Sequence, residues 1–412
     1  MPEDRVIPTT RPATVMTTMV KVDNVDLPEK YRTEAIVVMN EVNRIPYAKL
    51  VIIDGSAAGE RFDASNDAIF LPGKVVEIQA GYQSDNHVLF TGIIIRHSIK
   101  VRSNGASVLI VECRDKAVNM TIGRKRKYFA DKKDSEAIEE IIGGYAGLSA
   151  DVETTTVAQK QLVQYDATDW DFMLSRADVN NRLCITDLGT IRIQQPDLAQ
   201  APVLSLVYGA SILDLDLEMD SRLQYTQVTA TSWNTDDQAL NAMQIDNPGL
   251  PSAGDVTADD LAAVSSPSPY ELKHGGDLPE QELDEWGKSL WAKHQLAKVR
   301  GKVTIKGTHE VKPGLMIELQ GVGNHFTGKL FVSGVQHQIA AGDWQCAIQV
   351  GMNPEWFADT YDISSKPAAG LLPAVSGLQT GIVTQLESDP DGKNRIKVYL
   401  PIIHTGEEGI WT

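Results

Sequence analysis

The stretch GVGNHFTG (residues 321–328) opens like a dinucleotide-binding loop, in which closely spaced glycines let backbone amides approach a pyrophosphate. Phe326 stands where the third glycine of G-x-G-x-x-G belongs, and strand-like residues flank it on both sides, so it is read as a loop. The THE triplet at 308–310 lacks the second histidine of a zinc-protease helix. SDPDGKN (388–394) has Asp389 and Asp391 but neither the ligand spacing nor the late glutamate of a calcium loop. Pro390 at i+1 and Gly392 at i+3 suit a type I turn instead. The eight histidines are scattered; His97 and His337 sit among apolar strand residues and read as core or interface packing. Cys113, Cys184 and Cys346 lie far apart in apolar runs, with no C-x-x-C, and read as buried thiols of a cytoplasmically made protein. No nucleophile–base pair can be argued. The catalytic, cofactor-binding and metal-ligating sets are therefore empty, no cofactor is expected, and the reading is non-enzymatic.

One basic run exists, GRKRKYFADKK (123–133). It could meet an acidic partner or nucleic acid. The chain carries 38 Lys and Arg against 55 Asp and Glu, a net charge of -17, and phosphates need a positive field. The run is read as an exposed loop and nucleic acid as no partner. With 412 residues, 42% hydrophobic and 23% charged, the composition is ordinarily globular and suits two to four domains. The N-terminus lacks the layout of a signal peptide, and no run approaches the roughly 18 apolar residues of a membrane helix.

Several elements must hold these residues. Short strand patterns fill residues 13–120, at Ile36–Met39, Ala48–Ile53, Val75–Ala80, Val88–Ile95 and Val108–Cys113. Ile138, Ile141, Ile142 and Tyr145 make a helical stripe closed by Gly143-Gly144 and Gly147. In YDATDWDFMLSRADVNNRLCITD (165–187), Thr168 is a helix N-cap with Asp171 at the third helical position. Trp170, Met173, Leu174 and Ala177 then share one buried face. Leu183–Ile185 and Ile191–Ile193 form a hairpin around Asp187-Leu188-Gly189. Strands return near Val203. Residues 234–282 read as a long loop or insertion, and Leu283, Trp286, Leu290, His294 and Ala297 share a helix face. Strands resume to about Gly351, SSKPAAGLLPAVSG (364–377) reads as a linker, and a strand pair closes the chain.

An internal match is the most informative feature. PGKVVEIQ (72–79) and PGLMIELQ (313–320) share P-G-x-x-x-E-φ-Q, with Val76 and Ile78 in phase with Ile317 and Leu319. FTGIIIRHSI (90–99) and FVSGVQHQI (331–339) each have a Gly, then a His two residues before an Ile, at nearly the same separation. A duplicated β-barrel is expected, with Pro72-Gly73 aligned on Pro313-Gly314.

These pieces together resemble the VgrG-type hub and spike family of contractile phage tails, type VI secretion and extracellular contractile injection systems. NRIPYAKLVIIDG (43–55), FLPGKVVEIQAGY (70–82), FTGIIIRH (90–97) and VECRDKAVNMTIGRKRKYF (111–129) resemble the first half of its hub. YDATDWDFMLSRADVNN (165–181) resembles its most recognisable internal motif, and PGLMIELQGVGNHFTGKLFVSGVQH (313–337) its second barrel. GIVTQLESDPDGKNRIKVYLP (381–401) is similar to the first hairpin of its OB-fold collar. NRIPYAKLVIIDG favours the extracellular systems over type VI secretion.

The resemblance implies a mainly β fold with an α/β insert: two similar β-barrel domains of a tail hub, then the first hairpin of an OB-fold collar. Its boundaries would be 1–120 for the first barrel, 121–203 for the insert and 204–360 for the second barrel. A linker at 361–379 and an incomplete collar at 380–412 would follow, since the family continues into further collar strands and a needle. It implies a homotrimer, whose barrels would adapt a threefold spike to a sixfold inner tube. Baseplate proteins and a spike-tip protein or effector cargo would be the other partners, and the target membrane would be pierced mechanically. The protein would be made in the cytoplasm and built into a phage-tail-like particle that is released or secreted. The rival readings are a tail-associated cell-wall hydrolase and an OB-type glycan-binding adhesin.

Overall fold

The computed structural model describes residues 15–363, apart from 104, 235–236, 252, 266–268 and 277, together with residues 380–401 and 409–411. The chain divides into two compact units, Met1–Ile363 and Ser364–Thr412. The linker reading at 364–377 falls outside the described residues.

The larger unit begins with β1 (Met16–Val22), β2 (Val25–Asp26), β3 (Thr33–Glu41), β4 (Tyr47–Ile53), β5 (Val75–Tyr82), β6 (Asp85–Lys100) and β7 (Val108–Arg114). Period-two alternation decides which face turns inward: in β4, Ala48, Leu50 and Ile52 are buried while Tyr47, Lys49 and Val51 are partly exposed. Asp23-Asn24 and Gln83-Ser84 adopt positive φ at both positions, closing two-residue hairpins whose twist matches the strands.

Next come β8 (Lys125–Lys133), α1 (Asp134–Gly143), β9 (Ser149–Val152), β10 (Ala158–Ala167), α2 (Asp169–Val179), β11 (Leu183–Asp187) and β12 (Thr190–Gln194). The basic run is therefore largely strand β8, paired antiparallel with β10, and not a loop. A single buried Phe129 anchors it while most of its other side chains reach solvent, so charge dominated its sequence pattern. The Thr168 side chain accepts a hydrogen bond from Asp171 N and caps α2, whose Trp170, Met173, Leu174 and Ala177 are all buried. β11 and β12 form the expected hairpin, and β9 adds in parallel to β12.

The remainder comprises β13 (Leu204–Val207), β14 (Ile212–Met219), β15 (Val228–Asn234), β16 (Ala239–Ile245), α3 (Ala258–Ser265), β17 (Tyr270–His274), α4 (Glu280–Leu296), β18 (Val299–Lys306), β19 (Met316–Gln320), β20 (Gly328–Ala340), β21 (Asp343–Val350) and α5 (Phe357–Thr360). Residues 234–282 are thus not one loop. β16 and β17 flank β15, and α4 covers the sheet, packing Leu283, Leu290 and Trp291 against Val228, Ala230, Ile245 and Leu272. Only one face of this small sheet is apolar, and Asp, Pro and Ser between its strands mask the alternation in the sequence.

One thirteen-stranded sheet joins the first and last strand groups. Its order β3-β4-β7-β6-β5-β1 recurs as β14-β18-β21-β20-β19-β13, which is the shared order a duplication requires. One pairing differs: β1 runs antiparallel to β5, whereas β13 runs parallel to β19. Gly73 and Gly314 both hold positive φ (97° and 87°) and make the same bonds. Gly73 N donates to Ile94 O and Ile94 N to Lys74 O; Gly314 N donates to Val332 O and Val332 N to Leu315 O. With the Pro-Gly pairs aligned, Val332 matches Ile94 and His337 matches Ile99, two residues beyond His97. A two-residue slide keeps every side chain on its face, so alternation cannot detect it.

The smaller unit holds β22 (Ile382–Gln385), β23 (Lys397–Tyr399) and β24 (Ile410–Trp411), in that spatial order. The hairpin is as expected, and β24 adds a third short strand to it.

Trp170 is 5% exposed and packs in the insert core with Met173, Phe172 and Ile138. Trp170→Ala should destabilise the larger unit by about 3–5 kcal/mol, read as a lowered denaturant midpoint. An unchanged midpoint would contradict this placement.

Candidate functional site

The residues that could do chemistry are dispersed, and each has a local structural partner. GVGNHFTG turns β19 into β20; Thr327 Oγ1 donates to Gly323 O, and Phe326 packs on the second core. No helix follows it to receive a phosphate. In the THE triplet the Thr308 hydroxyl accepts from Glu310 N, and His309 stacks on His87 with ring centroids 3.5 Å apart. Gly392 N donates to Asp389 O across the expected turn. Asp389 also accepts from the amides of Asp391, Lys393 and Arg395, and the Arg395 guanidinium holds its carboxyl well below the usual range. His97 bridges Ser65 Oγ (2.9 Å) and Phe70 O (3.0 Å), and is a fastening between loop and strand. Burial pushes the thiols of Cys113, Cys184 and Cys346 up to about 12, the reverse of what a nucleophile needs. Among the described residues, no group of three or more His, Cys, Asp or Glu side chains could hold a metal ion.

The basic strand β8 faces carboxylates of its own unit. Lys125 meets Asp169 at 2.5 Å, Arg126 meets Asp166 at 2.7 Å, and Lys127 and Lys132 both meet Glu140. A hollow of about 440 Å³ beside it is lined by Lys125, Lys127, Glu140, Tyr145 and Asp169. Tyr145 Oη donates to Asp169 (2.7 Å) and accepts from Lys125 Nζ (2.9 Å). Hydrogen bonding to Asp169 holds the lysine above its ordinary pKa, and desolvation holds the tyrosine above its own. Neither is poised as a general base near neutrality. Cations already matched by Glu140, Asp166 and Asp169 are also poor anchors for phosphates.

The geometry that stands out is a joint between strands. β20 beyond Gly334 pairs antiparallel with β3, from Gly334 opposite Glu41 to Ala340 opposite Ala35. Ile339 and Trp344 thereby enter the first core, and Tyr82 stacks on Trp344 at 5.5 Å while donating to Gly307 O. His337 is buried at this joint against Trp344. Sequence reasoning missed the joint because nothing in β3 or β20 names its partner across the chain.

The family model for the Alg8 N-terminal domain matches residues 12–341. The chain belongs to that family. Its match runs through both strand groups and the insert, and so includes both sides of the joint. The comparison with curated proteins finds no match. Among solved structures, a tail protein from Neisseria meningitidis MC58 aligns with a TM-score of 0.61 at 15% identity, covering 84% of this chain and 99% of that one. The 43 kDa tail protein of prophage MuSo2 from Shewanella oneidensis aligns at 0.59 with 12% identity, over 82% of this chain and 98% of that one. A lidded Francisella PdpA-VgrG complex aligns at 0.50 with 11% identity, over 84% of this chain and 54% of that one. At these identities the likeness is one of fold. The resemblance to phage tail hub and VgrG proteins read from the sequence holds at that level. No helix among the described residues is long and apolar enough to cross a membrane.

His337 and His294 are buried, and desolvation lowers both to about 4 from 6.5. An unfolded chain binds protons on these histidines between those values while the folded chain does not. Stability should therefore be full above about pH 6.5 and fall as pH drops toward 4, by about 2 kcal/mol per histidine at pH 5. Urea midpoints at pH 7 and pH 5 measure this, and His337→Gln should flatten the dependence. An equal pH dependence in the variant would remove His337 from the account.

Proposed function

We propose that this chain is the structural hub at the base of a trimeric puncturing spike in a contractile injection machine. The observation that carries the reading is the repeated strand order inside one sheet, in a chain that has the fold of tail proteins. Two similar strand groups per chain, in three chains, would make six similar units around one axis. Such a ring can seat a threefold spike on a sixfold tube by duplication within the gene and without further adaptor chains. In this reading residues 1–120 and 204–360 are the two hub barrels, 121–203 is the bracing insert, 361–379 is a linker and 380–412 is the start of an OB-type collar.

The partners that follow are the inner tube ring on one side, baseplate proteins around the rim, and a spike-tip protein or effector cargo beyond the collar. The target membrane would be breached by force and not by chemistry. The locally satisfied polar groups described above support a force-transmitting role over a hydrolytic one: the two carboxylates that line the hollow beside β8, Glu140 and Asp169, are each held by lysines and so are poorly placed to act as an acid and base pair for glycoside cleavage. Native mass spectrometry of the purified chain should give the mass of three copies. A monomer at every concentration tested would overturn the reading.

A further inference from the structure

His97 does more than fasten a loop. Phe70 O can only accept, so the 3.0 Å contact places a proton on His97 Nδ1 and leaves a lone pair on Nε2. The Ser65 hydroxyl lies 2.9 Å from that Nε2 and therefore donates to it. A hydroxyl, a base that can take its proton and a third group that orients the base are the parts of an activated nucleophile. The sequence did not pair them because 32 residues separate Ser65 from His97. Both residues are partly exposed, within reach of a small reagent.

Each part is held from its own side. β6 bulges between Ile94 and Arg96, and beyond the bulge His97 stands opposite the buried Val111. Bulges commonly re-aim a side chain in this way. Phe70 is fully buried at the end of a short 3₁₀ turn (Ala68–Phe70), capped by Asp67, which accepts from Ile69 N at 3.1 Å. Tyr31 Oη donates to the same Asp67, and the Tyr31 ring packs edge-on against Phe70 at 5.2 Å. The buried Asp54 accepts from Ala64 N at 3.0 Å and from Ser65 N at 2.7 Å, which fixes the backbone that carries the hydroxyl. Asp54, Asp67 and Phe70 are positioning residues; the proton that moves lies between Ser65 and His97.

Asp54 also limits what the pair can do. In serine-dependent acyl transfer the amide of the nucleophile helps to hold the oxyanion. Here Ser65 N is committed to a carboxylate, which also brings negative charge towards the place where an oxyanion would form. Loss of one such donor costs about 10²–10³ in rate. A donor with a poor leaving group would react too slowly, and attack by water on an acylated Ser65 would face the same barrier. An activated ester or thioester carries its own driving force and can still acylate the serine.

We propose that Ser65 is a modification site: His97 activates it to take one acyl group from an activated ester or thioester, and the group stays. The bond from Ser65 Oγ to the acyl carbon forms as the C–O or C–S bond of the donor breaks. The hydroxyl proton passes to His97 Nε2 and from there to the departing alkoxide or thiolate, and nothing is oxidised or reduced. The site does not depend on the trimeric reading and is compatible with a hub that turns over no substrate.

The test treats the full chain with p-nitrophenyl acetate. p-Nitrophenolate should appear in a burst of one equivalent per chain with little turnover after it, and peptide mass mapping should place the acetyl group on Ser65. Ser65→Ala should abolish the burst. His97→Gln should slow it by about 10²-fold or more and remove the pH dependence of its rate. Because His97 also fastens the loop, the urea midpoint of each variant checks its folding, and a second measurement needs no variant. A fluorophosphonate, losing fluoride to the same hydroxyl, should label Ser65 in the native chain and not in the urea-unfolded chain. Acetyl groups on lysines with Ser65 unmodified, equal burst rates in the folded wild type and His97→Gln, or equal fluorophosphonate labelling of native and unfolded chain would each overturn the proposal. Steady turnover that Ser65→Ala removes would overturn the claim that the group stays.

Discussion

A strand edge is a row of backbone donors and acceptors that must find partners or stay in water. The larger unit is organised around one such edge, the flank of β20. Its first residues take β19 as partner, and those after Gly334 take β3, drawn from the opposite end of the chain. Ser333, at the bulge, accepts from Val42 N and marks the exchange of partners. Because of this exchange the two strand groups form one continuous sheet, and Trp344 fills a core made mostly of residues numbered below 115. The burial of His337, and with it the expected acid sensitivity, is a consequence of the same pairing.

The insert is fastened to that joint and not merely placed beside it. Asn43, just past β3, donates its amide to Cys184 O at 2.7 Å, and its side chain accepts from Cys184 N at 2.9 Å. Asn40 donates to Thr186 O, Asp115 accepts from Gly189 N, and Lys312 pairs with Asp187 at 2.8 Å. On its other side, Arg176 of α2 forms a bidentate pair with Asp134 of α1, and Asp178 meets Lys293 of α4 at 2.5 Å with both side chains buried. Buried ion pairs add little net stability compared with apolar packing, but one partner without the other is costly. Here they fix the direction in which three helices meet. The stretch around Trp170 thereby serves as a bracket between both strand groups.

Much of this was legible from residues alone. Period-two alternation located β3 to β7, and the Thr168 cap with its apolar face located α2. The repeat was visible in its Pro-Gly turns, since only a backbone at positive φ makes that entry and both copies keep it. What stayed hidden has physical causes. The slide that matches Ile99, and not His97, with His337 preserves faces and is invisible to patterning. Strand β8 has one buried anchor, so its charges spoke louder than its alternation. The candidate chemistry was legible mainly as failed motifs, and the structure supplies the partner that occupies each one.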